Sequence, residues 1–211
     1  MLLAAWPKLA VGAHLRLGGN EVLVGPDPSV CKVKGVMFAG RKQLLLELIG
    51  DDGFEALVST LSARTAAYAR TPLASSWCEF ASLIEFDRAI YQRLHDRYPH
   101  VLALIGAASA ELGIGRVYKM LDDQELVMFF EHGARFHSQY QKFGRVQFVR
   151  TANGGRMIYS DYPCYSPIFC TSAIGFFLES ILRHGGKDPD VAEKSCQTRG
   201  DATCTFQLTW R

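Results

Sequence analysis

The chain has 211 residues, 48% of them hydrophobic, with 23 Lys or Arg against 21 Asp or Glu and a formal net charge of +2. This length and apolar content support one generous folded domain and exclude general disorder, while the near-neutral balance excludes the basic surface of a typical nucleic-acid binder and an acidic tail. The opening Met1-Leu2-Leu3-Ala4-Ala5-Trp6 is broken by Pro7 and Lys8, and no later run approaches the roughly 20 apolar residues of a membrane span, so a cytoplasmic protein is expected.

In chain order, residues 9–24 alternate around Val11, Ala13, Leu15 and Leu17, pass Gly18-Gly19-Asn20 and continue into Val22-Leu23-Val24, the pattern of a β-hairpin. Gly25-Pro26-Asp27-Pro28-Ser29 is the clearest linker, which makes 1–28 a hairpin appendage and 29–211 a single domain. Helical spacing runs from Arg41 to Ile49 and restarts at Asp51-Asp52-Gly53, through Phe54, Leu57, Val58 and Leu61, until Thr71-Pro72. Phe80, Leu83, Ile84, Ile90, Tyr91 and Leu94 form the stripe of a further helix, interrupted by Asp87 and ended by Pro99. Residues 101–120 form another, where Gly106, Gly113 and Gly115 permit close packing or a bend. The most aromatic helix spans Gln124–Tyr140.

The period then changes to two at Val146, Phe148 and Arg150, turns at Asn153-Gly154-Gly155 and resumes through Met157, Ile158 and Tyr159, a second hairpin. Cys170, Ile174, Phe177, Leu178 and Ile181 mark one buried face of a helix over 168–184, which Gly185-Gly186 ends. Strands over 191–198 and 202–210 close the chain. Helices, hairpin, helix and hairpin in that order predict an α+β fold, an antiparallel sheet covered by helices.

Of six cysteines, Cys31 and Cys78 are isolated and are expected as packed apolar groups in a reducing compartment. Cys196 and Cys204 each lie four residues from Gly200, which places them opposite one another across the last hairpin. Cys170 opens its helix, where the dipole favours a thiolate. This spacing allows three sulfurs to converge on a metal site, the alternative being a core-filling Cys170 with a reduced thiol pair or cross-strand disulfide at Cys196 and Cys204; zinc would ask for a fourth ligand, with Glu193 as first choice and His184, Cys164 and Asp190 as alternatives. Glu193 and Cys196 are three apart, so a β-bulge or an irregular strand start is needed to bring both to one ion.

Cys170 followed by Gly175-Phe176, then Glu193-x-x-Cys196-x-x-x-Gly200-Asp201-x-x-Cys204-x-Phe206, resembles the signature of the four-vinyl-reductase-type small-molecule-binding domain, similar in fold to TRAPP-complex tethering subunits and to sensors of aromatic-responsive activators. The likeness covers roughly residues 100–211, with its signature in 164–211, and the whole chain from Val33-Lys34-Gly35 to Thr209-Trp210-Arg211 resembles a myxobacterial paralogous family built on this domain. It implies a structural zinc on Cys170, Glu193, Cys196 and Cys204, a homodimer, and a ligand pocket beside the metal. The tryptophan and histidine that hold phenol in those sensors have no match here.

The function expected is a non-catalytic sensory domain that binds a small apolar or aromatic molecule among Phe129, Phe130, His132, Phe136, Tyr140 and Phe148. The alternatives are a dimeric adaptor for a protein partner, and a haem-binding sensor, since haem-based nitric-oxide sensors have a related fold. Acid-base chemistry or haem ligation would fall to His132 with Glu131, or to His137.

Overall fold

The computed structural model describes residues 30–114 and 125–211. The expected hairpin over 9–24, the boundary at 28 and the end of the helix expected over 101–120 lie outside the described residues. The first half is helical. Helix α1 (Val36–Val58) contains a kink at Gly50, whose φ of 68° lies in the left-handed region that glycine enters freely. This kink is the break anticipated between Ile49 and Asp51. It is followed by α2 (Ala63–Arg70), capped by the Ser62 hydroxyl accepting from the Thr65 N–H, then by α3 (Phe80–Leu94) and α4 (Val101–Leu112).

Two short strands unanticipated from sequence, β1 (Lys32–Lys34) and β2 (Trp77–Glu79), pair antiparallel with Val33 opposite Cys78. Three-residue strands are too short for a period-two pattern to register. On its other side β1 meets the segment after the aromatic helix: the Lys34 N–H donates to the Tyr140 carbonyl at 2.9 Å and the Lys142 N–H to the Lys32 carbonyl at 2.9 Å. The described N-terminal residues are thereby tied to the second half of the chain. A disulfide between Cys31 and Cys164 crosses the same junction, so Cys31 is not an unpaired filler and Cys164 is not free to bind a metal. The two residues stand 133 apart in sequence, and nothing local signals such a pair.

The second half carries α5 (Leu126–Arg135), a 3₁₀ turn (His137–Gln139), β3 (Arg145–Thr151), β4 (Gly154–Ser160), α6 (Pro167–Arg183), β5 (Asp190–Ser195), another 3₁₀ turn (Gln197–Arg199) and β6 (Cys204–Thr209). The aromatic helix is shorter than its periodicity predicts because its last turn tightens, with the Gln139 and Tyr140 N–H groups reaching back to the Phe136 and His137 carbonyls. The four longer strands form one antiparallel sheet in the order β3-β4-β6-β5. Along β6 burial alternates, with Cys204, Phe206 and Leu208 in the core.

Helix α6 lies between this sheet and α4. Its predicted face, Cys170, Ile174, Phe177, Leu178 and Ile181, is buried, and so are Ser172, Gly175 and Ser180 around its circumference, as a helix covered on both sides requires. Two glycines permit the contact with α4. A Cβ on Gly106 would stand 1.8 Å from the Ser172 carbonyl oxygen, and one on Gly175 would stand 1.8 Å from that of Ala103. The α+β class and helix-covered antiparallel sheet are thus as predicted. Among the described residues, no helix is long and apolar enough to cross a membrane.

Candidate functional site: an apolar cavity and a three-thiol cluster

A cavity of about 170 Å³ lies where α1, α4, α5, α6 and the β3-β4 hairpin meet. Its walls are mostly apolar, with Met37 from α1, Phe129 and Phe130 from α5, Val146 and Met157 from the hairpin, and Phe176 and Phe177 from α6. Small residues make the room: Gly133, where an added Cβ would meet nothing within 4 Å, and Ala173 border the space, while Gly106 lets α6 close on α4. Aromatic packing holds the wall, with Phe130 stacked against Phe148 at 5.4 Å and Trp210 at 5.8 Å.

Polar groups sit at the cavity's edges, already engaged with one another. Arg41, 2% exposed, is bound through two nitrogens to the fully buried Asp87, by Nε to Oδ1 and by Nη2 to Oδ2 at 2.7 Å; its Nη1 donates to the Met37 carbonyl and to Ser109 Oγ. Burial pushes the Asp87 carboxyl up and the guanidinium opposes that push. Removing either partner would leave an uncompensated buried charge, worth about 3–5 kcal/mol. The interruption that Asp87 makes in its apolar stripe is therefore a paired charge inside the core.

His137 also borders the cavity. Its Nε2 lies 2.7 Å from the Tyr162 hydroxyl and 3.1 Å from Gln141 Oε1, and the Tyr162 hydroxyl donates to that same oxygen at 2.9 Å. With the tyrosine proton committed to Gln141, Nε2 carries the ring hydrogen. Burial pulls the His137 pKa below its usual value, although the Gln141 bond favours the charged form.

Of the six residues expected to contact a ligand, Phe129, Phe130 and Tyr140 line the cavity. Phe148 supports Phe130 from behind, Phe136 is 42% exposed, and His132 lies against Phe136 at 6.2 Å. The wall residues missed by sequence reasoning, Met37, Met157, Ala173 and Phe176 among them, come from four other elements, and one element's periodicity cannot say which neighbour it faces.

The second feature lies at the start of α6, against β6 and the turn after β5. The sulfurs of Cys170, Cys196 and Cys204 are buried and each is 3.8 Å from the other two. A β-bulge between Glu193 and Ser195 shifts the register, and Gly200, with φ of 89°, turns the chain back towards Cys204. The Gln197 N–H donates to Cys204 Sγ at 3.3 Å, Thr198 Oγ1 lies 2.9 Å from Cys196 Sγ, and the Cys196 N–H donates to Asp201 Oδ2 at 2.7 Å.

The three thiols shift one another's ionisation. Sulfur–sulfur hydrogen bonds from Cys170 and Cys204 lower Cys196, and the bond to Cys196 raises Cys170 well above the usual thiol value. Cys204 is eased down by Cys170 but pushed up to about 11 by Cys196 and by burial. The ligand atoms close enough to share one ion, all within 4.8 Å of each other, belong to these three residues among those described. Glu193 does not join them. Its Oε2 accepts from Arg199 Nη1 at 2.7 Å, its Oε1 is buried without a hydrogen-bond partner, and burial pushes its carboxyl up while Arg199 opposes. Of the alternatives, His184 bonds the Ser180 carbonyl and stacks on Phe129 at 4.2 Å, Asp190 is exposed at the start of β5, and Cys164 is in the disulfide.

No family model matches the sequence, and no curated protein matches it. Solved structures do. An H-NOX protein from S. oneidensis in its Fe(II)NO ligation state is 14% identical with a TM-score of 0.67, over 84% of this chain and 99% of that one. An oxygen-binding H-NOX domain related to soluble guanylate cyclases, in its oxygen complex, is 12% identical with a TM-score of 0.63, over 84% and 95%. A structure from a study of heme distortion in the H-NOX family is 12% identical with a TM-score of 0.65, over 84% and 95%.

These matches correct two expectations. The fold is that of H-NOX domains, in place of the vinyl-reductase and TRAPP-like assignment, and the cofactor named in the similar structures is haem iron and not zinc. The physical source of the first error is that the resemblance rested on the last forty residues, whereas the fold is also set by the helices before them. Among the described residues no fourth ligand atom lies with the three sulfurs: Glu193 Oε2 is taken by Arg199, while its Oε1 is buried and unpartnered.

Haem itself is tested by the donors present. The histidine that borders the cavity has its Nε2–H committed to Tyr162 and Gln141, and the volume of about 170 Å³ falls below the roughly 300–1,000 Å³ of ordinary cofactor and drug-sized sites. The described residues do not fit a macrocycle in this arrangement. At these identities the likeness shows the fold of the chain, an H-NOX-like fold.

Proposed function

We propose that this chain is a non-catalytic sensory domain that holds a small apolar molecule in the cavity between α4, α5, α6 and the β3-β4 hairpin. The observation that carries this reading is the cavity itself: an apolar space at the meeting of five elements, bordered by the small residues Gly133 and Ala173. Cavities lined by hydrocarbon remain dry and accept apolar molecules of matching size. The polar groups at its edge are occupied by one another, so a ligand with a single weak polar group, or none, is favoured over a charged one. The similar H-NOX proteins bind small gaseous molecules, as in the Fe(II)NO and oxygen complexes, and the present reading keeps that sensing role while replacing the macrocycle with an apolar ligand.

The second reading is a haem sensor, favoured by the fold likeness and by His137 at the cavity edge. The two are separated by thermal denaturation of the purified protein with and without a benzene-sized hydrocarbon, together with its visible spectrum. The expected result is a rise in Tm with hydrocarbon, as for any ligand that binds only the folded state, which the cavity-filling variant Ala173→Phe abolishes. A haem absorption band at one equivalent per chain would overturn the proposal in favour of the second reading.

A further inference from the structure

We propose that the outer face of the small sheet formed by β1, β2 and the segment 140–142 docks a short acidic segment of a partner protein over Trp77. The register places the side chains. Val33 stands opposite Cys78 on one side and Gln141 on the other, and these three are buried beneath the sheet. Successive side chains alternate between faces, so Lys32, Lys34, Trp77, Glu79 and Lys142 share the outer one. Lys34 is directly opposite Trp77, and its Nζ lies 4.1 Å from the centre of the indole ring; Lys142 Nζ reaches the same ring at 4.5 Å.

The charge on this face is unbalanced. The Lys142 N–H donates to the Lys32 carbonyl, which sets those two lysines opposite one another, a like-charged cross-strand pair that costs stability. The one acid on the face, Glu79, is shared by Lys32 at 3.6 Å and by Arg64. Lys34 donates to the Ser75 carbonyl at 2.6 Å, and among the described residues neither Lys34 nor Lys142 is paired with an acid. Two ammonium groups gathered over one half-buried ring are thus uncompensated, and carboxylates laid across them relieve the repulsion. Leu73, 69% exposed and two residues before Ser75, adds an apolar contact at the edge of the patch, and Trp77 is the residue type that most often anchors an interface. Three strands at the usual spacing make a patch about 10 Å across, the width of a short extended segment. Its charge suits other polyanions poorly: lipid-binding clusters bring about four to eight Lys or Arg, and nucleic-acid binders carry a basic stripe that a net charge of +2 does not supply. Val36 and Tyr140, next to these lysines, border the cavity, so the partner sits at its rim; docking requires no occupant there.

The test titrates the full chain against a fluorescein-labelled peptide of about ten residues, glutamates around one central leucine, and reads fluorescence anisotropy at low and at raised ionic strength. Saturable binding that salt weakens is expected, and none to the same peptide with glutamines in place of the glutamates. Lys34→Glu together with Lys142→Glu, and separately Trp77→Ala, should each weaken binding at least about tenfold. Arg150→Glu together with Arg156→Glu makes the same change in net charge at exposed positions of β3 and β4 and should leave binding unchanged. Failure of the acidic peptide to bind, equal loss in the two charge-reversed pairs, or binding that Trp77→Ala leaves intact would each overturn the site. Tighter binding of a DNA duplex, or of phosphatidylcholine vesicles with about a quarter phosphatidylserine, would overturn it as well. The lysine pair lies on the outer face, so its comparison with the arginine pair decides the question even where Trp77→Ala fails to fold.

Discussion

The cavity and the thiol corner are built from the same helix and the same sheet, yet they are packed in opposite ways. Around the cavity, α6 offers Ser172, Ala173 and Phe176 to a space that no side chain fills. One turn earlier, around Cys170, sulfurs at 3.8 Å and the rings of Phe206, Phe177 and Tyr159 leave little room, with Phe177–Phe206 centroids 5.4 Å apart and Tyr159–Phe206 centroids 5.8 Å apart. The difference lies in side-chain size. Large and soft groups meet at the corner, whereas small residues on α4, α5 and α6 coincide at the cavity. The first turn of the helix is therefore anchored through Cys170, while Ser172, Ala173 and Phe176 border the space a ligand needs.

Three perturbations would break or sharpen that contrast. The largest effect is expected at the corner: Phe206→Ala removes a ring that is 1% exposed and should cost about 3–5 kcal/mol in denaturant unfolding. A cost below about 1 kcal/mol would mean that the corner is as loosely filled as the cavity. Next comes Gly106→Ala at the α4–α6 contact. Its new Cβ would meet the Ser172 backbone, which cannot rotate away, and a loss of about 1–3 kcal/mol is expected with the cavity wall displaced. An unchanged unfolding midpoint would show that the two helices have slack.

The smallest effect concerns pH and His137. Its folded-state pKa is lowered by burial, so the unfolded chain takes up the proton first. The neutral ring is at no disadvantage above the ordinary value of 6.5, and stability should fall as pH drops below it. The slope should disappear in His137→Gln. A wild-type profile flat between pH 7 and 5 would contradict the buried neutral assignment.

Much of the fold was legible in the sequence. The change of period from helix to hairpin at Val146, the stripe on α6 and the glycines that end elements each have a local cause. The kink at Gly50 was legible as well, because Asp51 and Asp52 follow it as a helix start would. The Arg41–Asp87 pair was not, since a charge in an apolar stripe reads as an interruption until its partner, 46 residues away, is seen. The Cys31–Cys164 disulfide was hidden for the same reason. At the thiol corner the spacing about Gly200 and the bulge at Glu193 could be anticipated, but the competition of Arg199 for that carboxylate depends on side-chain placement. The cavity was half legible: Phe129, Phe130 and Tyr140 come from one helix, while the rest of the wall is assembled by tertiary packing.

The central proposal is that an H-NOX-like fold here encloses an apolar ligand and not a macrocycle. Native mass spectrometry of the protein as purified tests it most directly. The account predicts the chain mass alone or with a small apolar adduct that disappears in Ala173→Phe, and a mass excess equal to one haem per chain would contradict it.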